Sequence, residues 1–142
     1  MEKQIDFYFD LVSPYSYIAS MLIDDVARRG NAKVSWKPFL LGGVFKAVGT
    51  TEAPGLHPAK KPYLLKDLQR LSGHLKIPIK MPPDFPVRTV LAMRTLCGFN
   101  ADEIPQAAHT LYKAYWVNNQ DIADPEVVAA LVGSDAVERA GI

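Results

Sequence analysis

Apolar and polar side chains alternate at the start of the chain, where Ile5, Phe7 and Phe9 interleave with Asp6, Tyr8 and Asp10. A period of two carried by aromatic residues predicts a strand. Ser13-Pro14 follows and predicts a helix start, because a serine oxygen caps free N–H groups and proline fits the first turn. Tyr15, Ile18, Ala19, Leu22, Ile23, Val26 and Ala27 then recur at helical spacing. They predict one buried stripe on a helix running to about Arg28 and stopped by Gly30. Val34 and Trp36 predict a second short strand ending near Pro38. The opening unit is therefore β-α-β, a parallel crossover expected to be right-handed.

Beyond Pro38 the pattern changes. Gly42 to Pro58 is rich in Gly, Thr and Pro and reads mainly as loop, with one helical turn at Val44–Val48. Pro62 opens a helix with Leu64, Leu68, Leu71 and Leu75 on one face. The stretch from Ile77 to Pro86 holds four prolines and cannot be regular helix. Val87 to Phe99 reads as a helix with Val90, Met93, Leu96 and Cys97 inward. Asp102 and Pro105 start another, striped by Ile104, Ala107, Ala108, Leu111, Tyr115 and Trp116. Asp124-Pro125 starts a last helix through Leu131. Val127 to Val132 has some strand character, but its Ala129-Ala130 centre favours helix. A two-stranded sheet is marginal by itself. Either the helices cover it, or the rest of the sheet is absent from this chain.

The chain has 142 residues, 49% of them apolar and 22% charged, which suits one soluble domain with one core. A net charge of +1 gives no global field toward nucleic acid or an anionic membrane. Charge is uneven locally: six Lys or Arg and one Asp lie between His57 and Lys80, and five acids and one Arg between Gln120 and Ile142. Both stretches read as solvated faces. The single cysteine, Cys97, rules out a disulfide within the chain and fits a reducing compartment. The N-terminal residues lack the apolar core of a secretory signal, and no apolar run approaches the ~20 residues that span a bilayer. These features predict a cytoplasmic protein.

Chemistry concentrates at Asp10-Leu11-Val12-Ser13-Pro14-Tyr15-Ser16-Tyr17. A helix N-terminus offers unpaired N–H groups and partial positive charge, so it favours an anion and promotes ionisation of a thiol. The Ser13 hydroxyl can cap the helix or point at a ligand, and spacing alone favours the cap.

The segment "FYFDLVSPYSYIAS" resembles the opening of the glutathione-dependent 2-hydroxychromene-2-carboxylate isomerases and of the kappa-class glutathione transferases, both thioredoxin-like. Later segments are similar to the same families: "WKPFLLGGVF", "HPAKKPYLLKDLQRLS", "FPVRTVLAMR" and "YKAYWVNNQDIADPEVV". The resemblance implies an α/β fold, with the N-terminal βαβ of a thioredoxin-like domain (1–40) followed by a loop and helical insertion (41–142). Related disulfide oxidoreductases carry Cys-x-x-Cys where this chain reads Ser13-Pro14-Tyr15-Ser16, so dithiol exchange is excluded here.

The resemblance further implies glutathione bound across the helix-start turn by Ser13, Pro14, Tyr15 and Thr50. Ser13 is the implied catalytic residue, donating a hydrogen bond to the glutathione sulfur and favouring its thiolate. The implied reaction interconverts 2-hydroxychromene-2-carboxylate and trans-o-hydroxybenzylidenepyruvate in the breakdown of aromatic compounds. An aromatic carboxylate calls for a cation beside an apolar wall. Lys46, Lys61 and Arg88 are the candidate cations and Phe45, Tyr63 and Trp116 the candidate walls, although Trp116, on an inward stripe, suits the core better. No metal, nucleic acid or membrane is implied.

Two departures stand out. Val48-Gly49-Thr50-Thr51 occupies the place of a Gly-Asn pair in the family, which shortens or removes one polar contact if Thr50 replaces the Asn. The family also continues with a helix, a cis-proline loop that holds the glutathione backbone, two strands and a final helix, and no such segment occurs before Ile142. A truncated product, a short form without glutathione binding, and a chain that pairs with a second copy are the competing explanations. A kappa-class-like transferase is the nearest functional alternative, and an inactive binding or assembly protein is the alternative of another class.

Overall fold

The computed structural model describes residues 2–50 and 53–141. Strand β1 (Lys3–Phe9), helix α1 (Pro14–Gly30) and strand β2 (Ala32–Pro38) form the expected β-α-β unit. The strands pair in parallel, from Lys3 opposite Ala32 to Phe9 opposite Pro38. Period-two alternation sorts their side chains. Phe7, Phe9 and Trp36 are buried on one face, with Phe7 edge-on to Trp36 at 4.9 Å between ring centroids. The other face carries Asp6, Tyr8 and Lys37, with Lys37 3.7 Å from the Asp6 carboxylate and Tyr8 61% exposed. Among the described residues these two strands make up the whole sheet.

The other regular elements among the described residues are helical: α2 (Leu41–Ala47), a 3₁₀ turn (Pro54–Leu56), α3 (Lys61–Leu75), α4 (Val90–Cys97), α5 (Ile104–Trp116), α6 (Pro125–Val132) and α7 (Ser134–Arg139). They cover the aromatic face of the sheet. The stripe foreseen on α5 is buried throughout, and Tyr112 joins it against Phe9 and Tyr17. Trp116 is a core residue, and its indole N–H donates to the Leu11 carbonyl at 2.8 Å.

Several sequence expectations are corrected. The first helix runs through Gly30, and Asn31 is the left-handed residue that ends it (φ 48°). A short polar side chain tolerates that conformation, so glycine is not required. Its stripe is also only partly covered: Tyr15, Leu22 and Val26 remain exposed, because α1 is turned to pack Tyr17 against Tyr112 and Trp116. Leu41–Ala47 is helical although it contains Gly42-Gly43. The helix from the Val87–Phe99 stretch begins only at Val90, after the proline-rich segment. Cys97 is exposed rather than inward, since Leu96 takes the buried position in the last turn of α4 and the next residue is rotated away. The helix expected from Asp124-Pro125 is present as α6, but it is not the last: after Gly133, whose φ of 102° an L side chain resists, α7 follows.

Candidate active site

The site begins with a turn. Ser13 is the N-cap of α1, in extended conformation, and its Oγ accepts the Ser16 N–H at 3.2 Å. Pro14 occupies the first helical position, where its missing N–H costs nothing. No acidic residue lies in the first turn of α1, so no side chain there neutralises the positive end of the helix. The cap engages an oxygen lone pair of Ser13 and leaves its hydroxyl hydrogen available to donate.

Asp10 fixes this turn. Its carboxylate is 2% exposed and accepts three hydrogen bonds, as a buried charge requires. Oδ1 receives the Val12 N–H at 3.1 Å and the Thr89 hydroxyl at 2.8 Å, while Oδ2 receives the Leu41 N–H at 2.9 Å. One acid thus ties the helix-start turn to the segment before α4. It also satisfies a free N–H at the start of α2, which accounts for a helix where composition suggested loop. The Ser13 N–H adds a 3.0 Å bond to the Asp10 carbonyl.

Against this turn lies an apolar cavity of about 520 Å³. Ser13, Pro14 and Tyr15 line one side, Leu41 and Phe45 of α2 another, and Leu56 and Leu64 a third. Phe85, Pro86, Val87 and Arg88 close it, and the Phe85–Pro86 peptide is cis. The Tyr15 hydroxyl donates to Asp67 Oδ2 at 2.6 Å, which joins α1 to α3. Burial, with the Asp67 bond and charge, pushes that phenol up to about 12, so it stays protonated at neutral pH. Behind the turn, the Ser16 and Tyr112 hydroxyls are 2.6 Å apart, and burial raises the Tyr112 phenol above its usual range.

Of the sequence candidates, the structure brings Ser13, Pro14, Tyr15, Phe45 and Arg88 to one cavity. It does not bring Lys46, Lys61 or Thr50 there; all three are exposed and outside its lining. Phe45 faces the cavity, so Lys46, the next residue of the helix, points elsewhere. The backbone N–H of Thr50 is spent on the Phe45 carbonyl at 2.8 Å, and Thr51 lies outside the described residues. Tyr63 is exposed and Trp116 is core, so neither is a wall of the cavity. Asp10, Leu41, Leu56, Leu64 and Phe85 are site residues that spacing did not single out. For Asp10 the available signal was an acid at the end of an aromatic strand, directly before the turn.

A DSBA-like thioredoxin domain model matches residues 4–141. The chain belongs to the DSBA-like thioredoxin domain family. Within that family its site departs from a dithiol centre, since serines stand at 13 and 16 and Cys97 lies at the end of α4. Human glutathione S-transferase kappa 1 is 30% identical over all of this chain and 64% of its own length. The 2-hydroxychromene-2-carboxylate isomerase of Pseudomonas putida is 31% identical over 90% of this chain and 63% of its own. The chain thus spans less than two thirds of the length of these relatives. A solved 2-hydroxychromene-2-carboxylate isomerase structure shares the fold, with a TM-score of 0.79 at 22% identity over 96% of this chain and 70% of that one.

Proposed function

We propose that this chain is a glutathione-dependent isomerase of the 2-hydroxychromene-2-carboxylate type, with Ser13 as its catalytic residue. The observation that carries this reading is the placement of Ser13: it caps α1 with a lone pair while its hydroxyl borders a large apolar cavity. The residues present suit a thiolate. The Ser13 O–H is a donor, the start of α1 has no acid in its first turn, and the Asp10 carboxylate oxygens are already engaged. A hydrogen bond to the ionised sulfur, rather than to the thiol, favours ionisation.

Bound as its thiolate, glutathione would supply a nucleophile that adds reversibly to a conjugated carbon skeleton and is released unchanged after bond rotation. Ser13 holds the negative charge at the sulfur position and is not itself a nucleophile, having no adjacent base. Arg88 offers the cation for a carboxylate at the cavity, and Phe45, with Leu41 and Leu56, an apolar wall for an aromatic ring.

The second reading is a kappa-class-like transferase, favoured by the match to the human kappa transferase over the full chain. Incubation with 2-hydroxychromene-2-carboxylate and glutathione separates the two. The isomerase turns substrate over with no net loss of glutathione, whereas accumulation of a stable conjugate identifies the transferase. A folded protein that does neither and fails to retain glutathione is the inert binding protein.

A further inference from the structure

The cavity beside Ser13 has walls of two kinds. One is the helix-start turn, fixed by the Asp10 carboxylate. The other is built where the Pro54–Leu56 turn lies against α3, and there a side chain at position 55 would displace the end of Leu64. A Cβ placed on Gly55 would sit 2.9 Å from Cδ1 of Leu64, nearer than such carbons approach. Backbone conformation does not call for glycine here, since Gly55 is not among the positive-φ glycines. What glycine supplies at this position is space. Both Gly55 and Leu64 line the cavity. The wall is also tied in place: Asp67, three residues beyond Leu64 in α3, receives the Tyr15 hydroxyl at 2.6 Å.

We propose that Gly55 and Leu64 form the size gate of this cavity and set how large an aromatic ring it admits. The proposal rests on the reading of the cavity as a site for an aromatic carboxylate. The absence of a side chain at 55 lets the turn close onto α3, and the Leu64 δ-methyl groups then define the far limit for the ring. Ser13 handles the sulfur and Arg88 the carboxylate, so neither discriminates ring size. Apolar pockets discriminate through such contacts: one methylene changes selectivity about 10- to 200-fold.

The test is titration of the protein, without glutathione, with benzoate and with 2-naphthoate, followed by protein NMR. The readout is the ratio of the two affinities. Leu64→Ala shifts it toward 2-naphthoate by about ten-fold. Gly55→Ala, which adds a methyl group at the cavity wall and displaces Cδ1 of Leu64, shifts it toward benzoate by a similar factor. The double variant behaves like Leu64→Ala rather than as the sum, because the atom that the new Cβ meets is gone. Gly55→Ala carries the test by itself if Leu64→Ala does not fold. An unchanged ratio in folded variants overturns the gate while leaving the isomerase reading intact. If the unsubstituted protein binds neither ring, both fall. If the ratio moves but Ser13→Ala leaves glutathione chemistry unaffected, the gate stands and only the role of Ser13 is lost.

Discussion

Asp10 and Ser13 lie three residues apart and do different things with their oxygens. Asp10 holds three donors from three parts of the chain. Asp10→Ala leaves those donors without a partner, at about 1–3 kcal/mol each, so a loss of at least about 3 kcal/mol is expected in urea unfolding. Asp10→Asn should fall in between, since its amide oxygen can replace Oδ1 but its NH₂ would oppose the Leu41 N–H. Ser13→Ala acts on chemistry more than on stability. Hydrogen bonds to charged groups are worth about 1.5–3 kcal/mol, so isomerisation should slow on the order of ten- to a hundred-fold in steady-state assays. Ser13 and Pro14 were legible in the sequence because a helix cap is local chemistry. Asp10 was not, because two of its three partners lie 31 and 79 residues away. The same reason explains Lys46, Lys61 and Thr50, whose residue types suit a ligand but whose positions only packing decides.

At the scale of elements, periodicity located the helices well and their buried faces less well. The α5 stripe is legible from spacing because core surrounds it. The buried stripe of α1 is narrower than its spacing implies, since Tyr17 rather than Tyr15 carries the packing. At Leu41–Ala47 a contact to Asp10 overrides a weak local preference, which no window of sequence contains. Cys97 gives a check on α4. Being exposed, it should react with a thiol reagent in the folded protein, and Cys97→Ser should change stability by less than about 0.5 kcal/mol. Glutathione-dependent activity should be retained. Protection of Cys97 until unfolding would show that its helix is rotated differently.

For the whole molecule, the β-α-β unit and helical remainder were legible from pattern, and the fold from the likeness of five segments to known families. How the aromatic face is covered was not, because it depends on contacts such as that of Trp36 with His109, whose ring centroids are 5.1 Å apart. Burial lowers the pKa of His109 from 6.5, with the Asp24 charge opposing. A histidine depressed in the folded state takes its proton first in the unfolded chain. Its contribution is therefore complete above about pH 6.5 and is lost as pH falls below it. Thermal unfolding should show stability declining from pH 7 to 5, with a shallower decline in His109→Gln.

The claim that Ser13 activates a glutathione thiol is tested most directly by the ionisation of that thiol on the protein. Thiolate absorbance is followed against pH, at glutathione concentrations that saturate the site, in the unsubstituted protein and in Ser13→Ala. The bound thiol should ionise below the ordinary value of about 8.5, and Ser13→Ala should raise its midpoint by about one to two pH units. Coincident titrations of the two proteins would contradict the claim and leave Ser13 as the cap of α1 alone.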